Sequence, residues 1–141
     1  MKSSCLLDRC RAYDDDARQL KSERMRREKI LALGDDPELA SEIEAIRAQE
    51  KQRKREYKVE LMAVTTMLDG LPVMRAQAMH FYYIGAMSYT NVAVKMGYTV
   101  GSIKRTIATG RQKLARYTHA QLIHMVPDWY AELYARGGEK G

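Results

Sequence analysis

Arg75, Lys95, Lys104, Arg105, Arg111, Lys113 and Arg116 lie between Asp69 and Asp128, a stretch with no other Asp or Glu. Cations spread through an acid-free segment suit a polyanion, because a carboxylate near a phosphate adds repulsion. The chain's net charge of +6 arises in this half: Met1–Asp69 holds 15 Lys/Arg and 15 Asp/Glu, whereas Gly70–Gly141 holds 9 and 3. Within it, "VGSIKRTIATGRQKL" reads as a helix with Ile103, Ile107, Gly110 and Leu114 on one stripe. At about 100° per residue the opposite face presents Gly101, Arg105, Ala108 and Gln112, flanked by Ser102 and Thr109 on one side and by Lys104 and Arg111 on the other. An arginine on such a face can make paired hydrogen bonds to the guanine edge, and hydroxyls accept or donate to any base. Ser102, Arg105 and Thr109 are therefore the candidate base-reading residues, and Lys95, Lys104, Arg111 and Lys113 the candidate phosphate contacts.

Local signals define the elements that must position these side chains. Ser88 is placed to cap a short helix through Met96, with Tyr89, Val92, Ala93 and Met96 on one face. Gly97 permits a sharp turn, and Thr99 caps the helix that starts at Val100. Upstream, "VMRAQAMHFYYIGAM" reads as a buried helix with Ala76, Met79 and Tyr83 directed inward, and His80 or Phe81 as further candidates for that face. A short helix, a glycine turn and a longer polar-faced helix form the DNA-binding helix-turn-helix, whose second helix enters the major groove.

The first half has a different period. Leu6, Cys10, Tyr13, Ala17, Leu20, Arg24, Arg27 and Leu31 recur in steps of four and three. "LGDDPEL" supplies a stop at Gly34 and a cap with first helical residue at Asp36–Pro37. A second arm carries Leu39, Ile43, Ile46, Tyr57, Leu61, Val64 and Leu68, with Glu50 and Arg53 in its middle seam, and Leu71–Pro72 ends it. Arms of about 45 Å cannot bury their stripes alone, so they must pair with each other, with a second chain in a homodimer, or with both. The expected fold is all-α: a coiled-coil-like helical hairpin over 1–69, serving association and dispensable for the fold of the rest; a helix-turn-helix DNA-binding domain over 70–118; and a C-terminal amphipathic helix and tail over 119–141. That last helix is expected to start at Pro127–Asp128, with Trp129 and Leu133 on one side. Gly110, on the buried stripe of its helix, reads as a packing glycine that alanine should replace without loss.

The segment from Leu71 to Leu114 resembles region 4 of bacterial sigma factors, on the spacing from Leu71–Pro72 to Ser88–Tyr89 and on to "VGSIK" at Val100–Lys104. It departs in having Thr90–Asn91 where an acidic pair is usual, and in setting Arg75 one position from the arginine common in the preceding helix. With a helical hairpin in front, the chain resembles the phage and prophage late transcription regulators of the ArpU and RinA type. That resemblance implies a sequence-specific regulator that binds double-stranded DNA and contacts RNA polymerase. Two other readings are open at this point: a phage small terminase subunit, which also joins a helix-turn-helix to an oligomerising helical region, and a polymerase-binding regulator that never touches DNA.

Other chemistry has no foothold in the sequence. Met1–Asp69 has Tyr13 and Tyr57 as its only aromatics, so a promoter-melting surface of stacking rings is not expected there. No apolar run approaches the roughly 18 residues of a membrane span, and "MKSSCLLDRC" is no signal peptide, so a cytoplasmic protein away from membranes is expected. Cys5 and Cys10 have neither redox nor zinc spacing and are expected as free thiols. His80, His119 and His124 make no metal pattern, and no nucleophile–base pair, phosphate loop or paired carboxylate occurs. The expectation is a protein with no catalytic residues, no metal and no cofactor. "KQRKRE", Lys51–Glu56, reads as a solvated helix face in preference to a second phosphate contact.

Overall fold

The computed structural model describes residues 3–117 and 119–128. The architecture is all-α. Helix α1 (Ser3–Leu31) and helix α2 (Pro37–Asp69) form a long antiparallel hairpin, followed by α3 (Val73–Met79), α4 (Tyr89–Met96), α5 (Val100–Leu114) and the short α6 (His119–His124). Asp36 caps α2, its Oδ1 accepting from the Leu39 amide at 3.1 Å with Pro37 in the first turn. The free N–H groups of a helix start are satisfied as the sequence anticipates.

The hairpin closes on itself, and its charged seam positions explain how. Tyr13 stacks on Tyr57 with ring centroids 3.9 Å apart. Arg24 of α1 meets Glu50 of α2 at 2.7 Å, Arg27 meets Glu42 at 3.2 Å, and Arg53 reaches back to Asp16 at 3.4 Å and to the Arg9 carbonyl at 2.8 Å. Glu60, fully buried, receives Arg9 at 2.7 Å and Arg53 at 3.5 Å. Of the residues that interrupt the apolar period, Arg24 and Glu50 are thus each other's partners, while Arg27 and Arg53 each take an acid of the facing arm, which fixes the register of the two arms. Cys10 lies in this layer as a buried free thiol, pushed up to about 12 first by burial and then by the Glu60 charge.

One apolar core runs from the base of the hairpin into the helices beyond it. Leu6, Leu7, Val64, Met67 and Leu68 share a buried cluster with Met79, Tyr83, Val92, Ile103, Ile107 and Leu114. Residues on both sides of position 69/70 are therefore packed into the same interior, and the hairpin base is a wall of the helix-turn-helix. Leu122 and Val126, around α6, close the cluster. The amphipathic helix expected beyond Pro127–Asp128 falls on residues 129–141, outside those described.

The helix after Leu71–Pro72 differs in detail from its expected form. Ala78 is fully buried, Ala76 is only half-buried and His80 is exposed, so the inward face comprises Ala78, Met79 and Tyr83. From His80 to Ile84 the helix widens into a π turn, closed by the Gly85 amide donating to the His80 carbonyl at 2.9 Å. Ala86 follows at φ 52°, a left-handed conformation uncommon for a residue with a β-carbon. Arg11 holds this corner from α1, donating through Nη1 to the Tyr82 carbonyl at 2.6 Å and the Met87 carbonyl at 2.9 Å. Its guanidinium lies 3.9 Å from the Tyr82 ring centroid.

Candidate nucleic-acid interface

Helices α4 and α5 are set by short-range chemistry. Ser88 Oγ accepts from the Asn91 amide at 3.1 Å and Thr99 Oγ1 from the Ser102 amide at 3.2 Å, so both helices begin at their hydroxyl caps. Between them Gly97 sits at φ 74°, where a β-carbon would be strained. Ile103, Ile107, Gly110 and Leu114 are all buried, which directs the opposite side of α5 outward. Side chains of α3 fill the space over Gly110: a β-carbon there would collide with the Met79 sulfur and lie 3.3 Å from Cδ of Arg75. Beside this contact the Arg75 guanidinium buries Nε and Nη1 without a hydrogen-bond partner among the described residues.

The outward side of α5 carries most of the candidate residues. Lys104 and Arg105 are exposed together with Gly101, Ala108 and Gln112, and the half-buried Ser102 and Thr109 stand at its margin. Arg105 Nη1 lies alongside Gly101, 3.7 Å from where a β-carbon would be, so the missing side chain leaves room for it. Lys95, exposed in the last turn of α4, has its ammonium 5.2 Å from the Phe81 ring centroid, and Lys104 lies 5.6 Å from that of Tyr89. Tyr89 stacks on Tyr82 at 4.5 Å, so aromatic rings from the π turn and α4 buttress the lysines beside α5. Lys113 is exposed at the far end of α5 and, with Arg116, lines a groove of about 450 Å³ against Met67, Gly70 and Leu71.

Arg111 departs from its expected role. Its guanidinium grips Asp8 of α1 through two nitrogens, at 2.8 and 3.0 Å, and donates to the Tyr83 hydroxyl at 3.1 Å. Position 111 is on the flank of α5 turned toward α1, so in this structure its partly exposed guanidinium struts the recognition helix against Asp8 of the hairpin. The Asp8 carboxylate, and next the Tyr83 hydroxyl, hold its guanidinium more firmly protonated than usual. Burial raises the Tyr83 hydroxyl, with Arg111 opposing that rise.

A hydroxyl-capped helix pair, a left-handed glycine turn and a second helix exposing cations and no acid are now in place. Residues 61–114 match the sigma-70 region 4 family. The matched span begins at Leu61, inside α2, in accord with the way Val64, Met67 and Leu68 enter the core of the helix-turn-helix. It ends at Leu114, the last residue of α5, and leaves α1 and most of α2 outside the matched span. No curated protein and no solved structure matches the chain.

Sequence reasoning missed two residues of α1 that join the hairpin to the helices beyond it, Arg11 and Asp8. Their partners are 71 and 103 positions away respectively, and neither position belongs to a local motif. The described residues include no cluster of three or more His, Cys, Asp or Glu placed to hold a metal, and no helix long and apolar enough to cross a membrane.

Proposed function

We propose that the protein is a sequence-specific transcription regulator that binds duplex DNA by inserting α5 into the major groove. The observation that carries this reading is the exposed side of α5, cationic and free of acids, on a domain that matches sigma-70 region 4. Sigma region 4 domains bind promoter DNA. Ser102, Arg105 and Thr109 read base edges, and Lys95, Lys104 and Lys113 hold phosphates on either side. Arg111 is assigned to the strut with Asp8. The hairpin in front of region 4 supports the finer reading of a phage or prophage late-gene activator, with RNA polymerase as a second partner.

Selection of bound duplexes from a random pool, followed by footprinting, tests the proposal. One enriched site is expected, and a dyad within it would establish a homodimer on DNA. Recovery of unenriched sequence would reduce α5 to a backbone-binding helix and overturn sequence-specific regulation.

A further inference from the structure

The outer side of α2 carries a second cationic feature, outside the span matched by sigma-70 region 4. Lys51, Lys54, Arg55 and Lys58 are all exposed. Their spacing of three, four and seven places them within about 100° of arc on a helix, with about 10 Å of axis from first to last. This arc lies on the side of the helix away from the buried Ala63, Val64 and Met67.

The disposition of the acids separates this stripe from an ordinary mixed surface. Glu50 and Glu56, the carboxylates within the same segment, turn toward α1, where they pair with Arg24 at 2.7 Å and with Arg9 at 2.6 Å. Arg53 likewise turns inward to Asp16 and Glu60, and Arg47, one turn before Lys51, is bound to Glu28 and Glu44. Hairpin closure thus consumes the acids of this segment. Lys51, Lys54 and Lys58 have no ion-pair partner among those described.

We propose that the Lys51–Lys54–Lys58 face of α2 is a second phosphate-backbone contact for duplex DNA, distinct from α5. The proposal rests on the DNA-binding reading of α5 and extends it. Lys58 lies about 16 Å along the helix axis before Asp69, and Lys51 about 27 Å. The stripe would therefore meet a part of the duplex other than the segment read by α5. Flexible, strongly hydrated lysine ammonium groups neutralise phosphates without reading bases. The contact adds affinity and salt dependence, but no sequence preference.

The test uses the full chain and the triple variant Lys51→Gln/Lys54→Gln/Lys58→Gln, whose sites are exposed and whose melting temperature should match the wild type. Fluorescence anisotropy across a salt series, on a random duplex of about 40 base pairs, should show the log-affinity against log-salt slope falling in magnitude by about two to three, and by about one for Lys54→Gln alone. The enriched site and its base preferences should remain those of the wild type. An unchanged slope in the triple variant, while Arg105→Ala still weakens cognate binding, would overturn the α2 contact and leave α5 as the DNA reader. Absence of duplex binding by the wild type would overturn both. A larger slope change on structured RNA than on duplex DNA would also overturn the assignment, transferring the stripe to RNA.

Discussion

At the residue scale, Arg105 and Lys113 divide the work of α5. Arg105 is exposed near the helix start, the part that enters a groove, and Lys113 is exposed at the end that leaves it. Arg105→Ala should cost about 1 to 3 kcal/mol on the selected site and much less on random duplex, relaxing preference at one or two base positions. Lys113→Ala should weaken both duplexes alike and reduce the salt slope by about one. Anisotropy on the two duplexes measures both, and equal losses for Arg105→Ala would mean that it only holds the backbone. Gly110 calls for a different outcome from the one its helix position suggests. Alanine ordinarily improves a helix interior by about 1 kcal/mol over glycine. Here the added β-carbon meets the sulfur of Met79, which is fully buried and must move within a packed core. Gly110→Ala should therefore lower stability by about 1 to 2 kcal/mol, and Gly110→Leu by more. Combined with Met79→Ala, which opens the space, the alanine should be better tolerated, so the double variant should lose less than the sum of the two singles in thermal or denaturant melts.

Among elements, the contact between α5 and α1 determines how firmly the recognition helix is seated. Asp8 is 60% exposed at its side chain and Arg111 37%, so solvent screens their pair and its contribution to stability is at most about 1 kcal/mol. The buried Tyr83 hydroxyl is the less replaceable partner, because leaving such a group unpaired carries its own desolvation penalty. Arg111→Ala should therefore lower the melting temperature more than Asp8→Asn does. Asp8→Asn should also tighten binding to random duplex, since it removes an acid from the flank of α5 and releases a guanidinium toward phosphate. Melting curves and anisotropy on the same two variants check both expectations. Weaker DNA binding by Asp8→Asn would show that the strut, by orienting α5, matters more than the charge it occupies.

The molecule as a whole should unfold as one cooperative unit, because a single buried cluster spans position 69/70. A fragment from Asp69 to Gly141 would lose Leu6, Leu7, Val59, Ala63, Val64, Met67 and Leu68, all buried in the cluster that holds Met79, Ile103 and Ile107. It would also lose Arg11, which holds the carbonyls of Tyr82 and Met87, and Asp8. Burying a large apolar side chain contributes about 1.5 to 3 kcal/mol, so losing several exceeds the stability of most small domains. The fragment should lack a cooperative thermal transition by circular dichroism, whereas the full chain should have one. A sharp transition in the fragment would restore the hairpin as a separable association module.

What could be read from the chain is what the backbone decides over a few residues. Ser88, Thr99 and Asp36 as caps, Gly97 as the turn, and the Ile103–Ile107–Gly110–Leu114 stripe follow from local hydrogen bonding and a 3.6-residue period. The heptad seam and its polar interruptions were equally legible, because coiled-coil register is periodic. Which charge meets which was not. Arg111 looked like any cation on a polar flank until folding brought Asp8 alongside it from 103 positions away, and Gly110 looked replaceable until Met79 filled its missing side chain. Lys51–Glu56 spreads its charges around the helix, and only the packing of α1 shows that Arg53 and Glu56 fall on the paired side and Lys51 and Lys54 on the exposed one. Long-range partners carry no period and no local spacing, so tertiary packing alone assigns them.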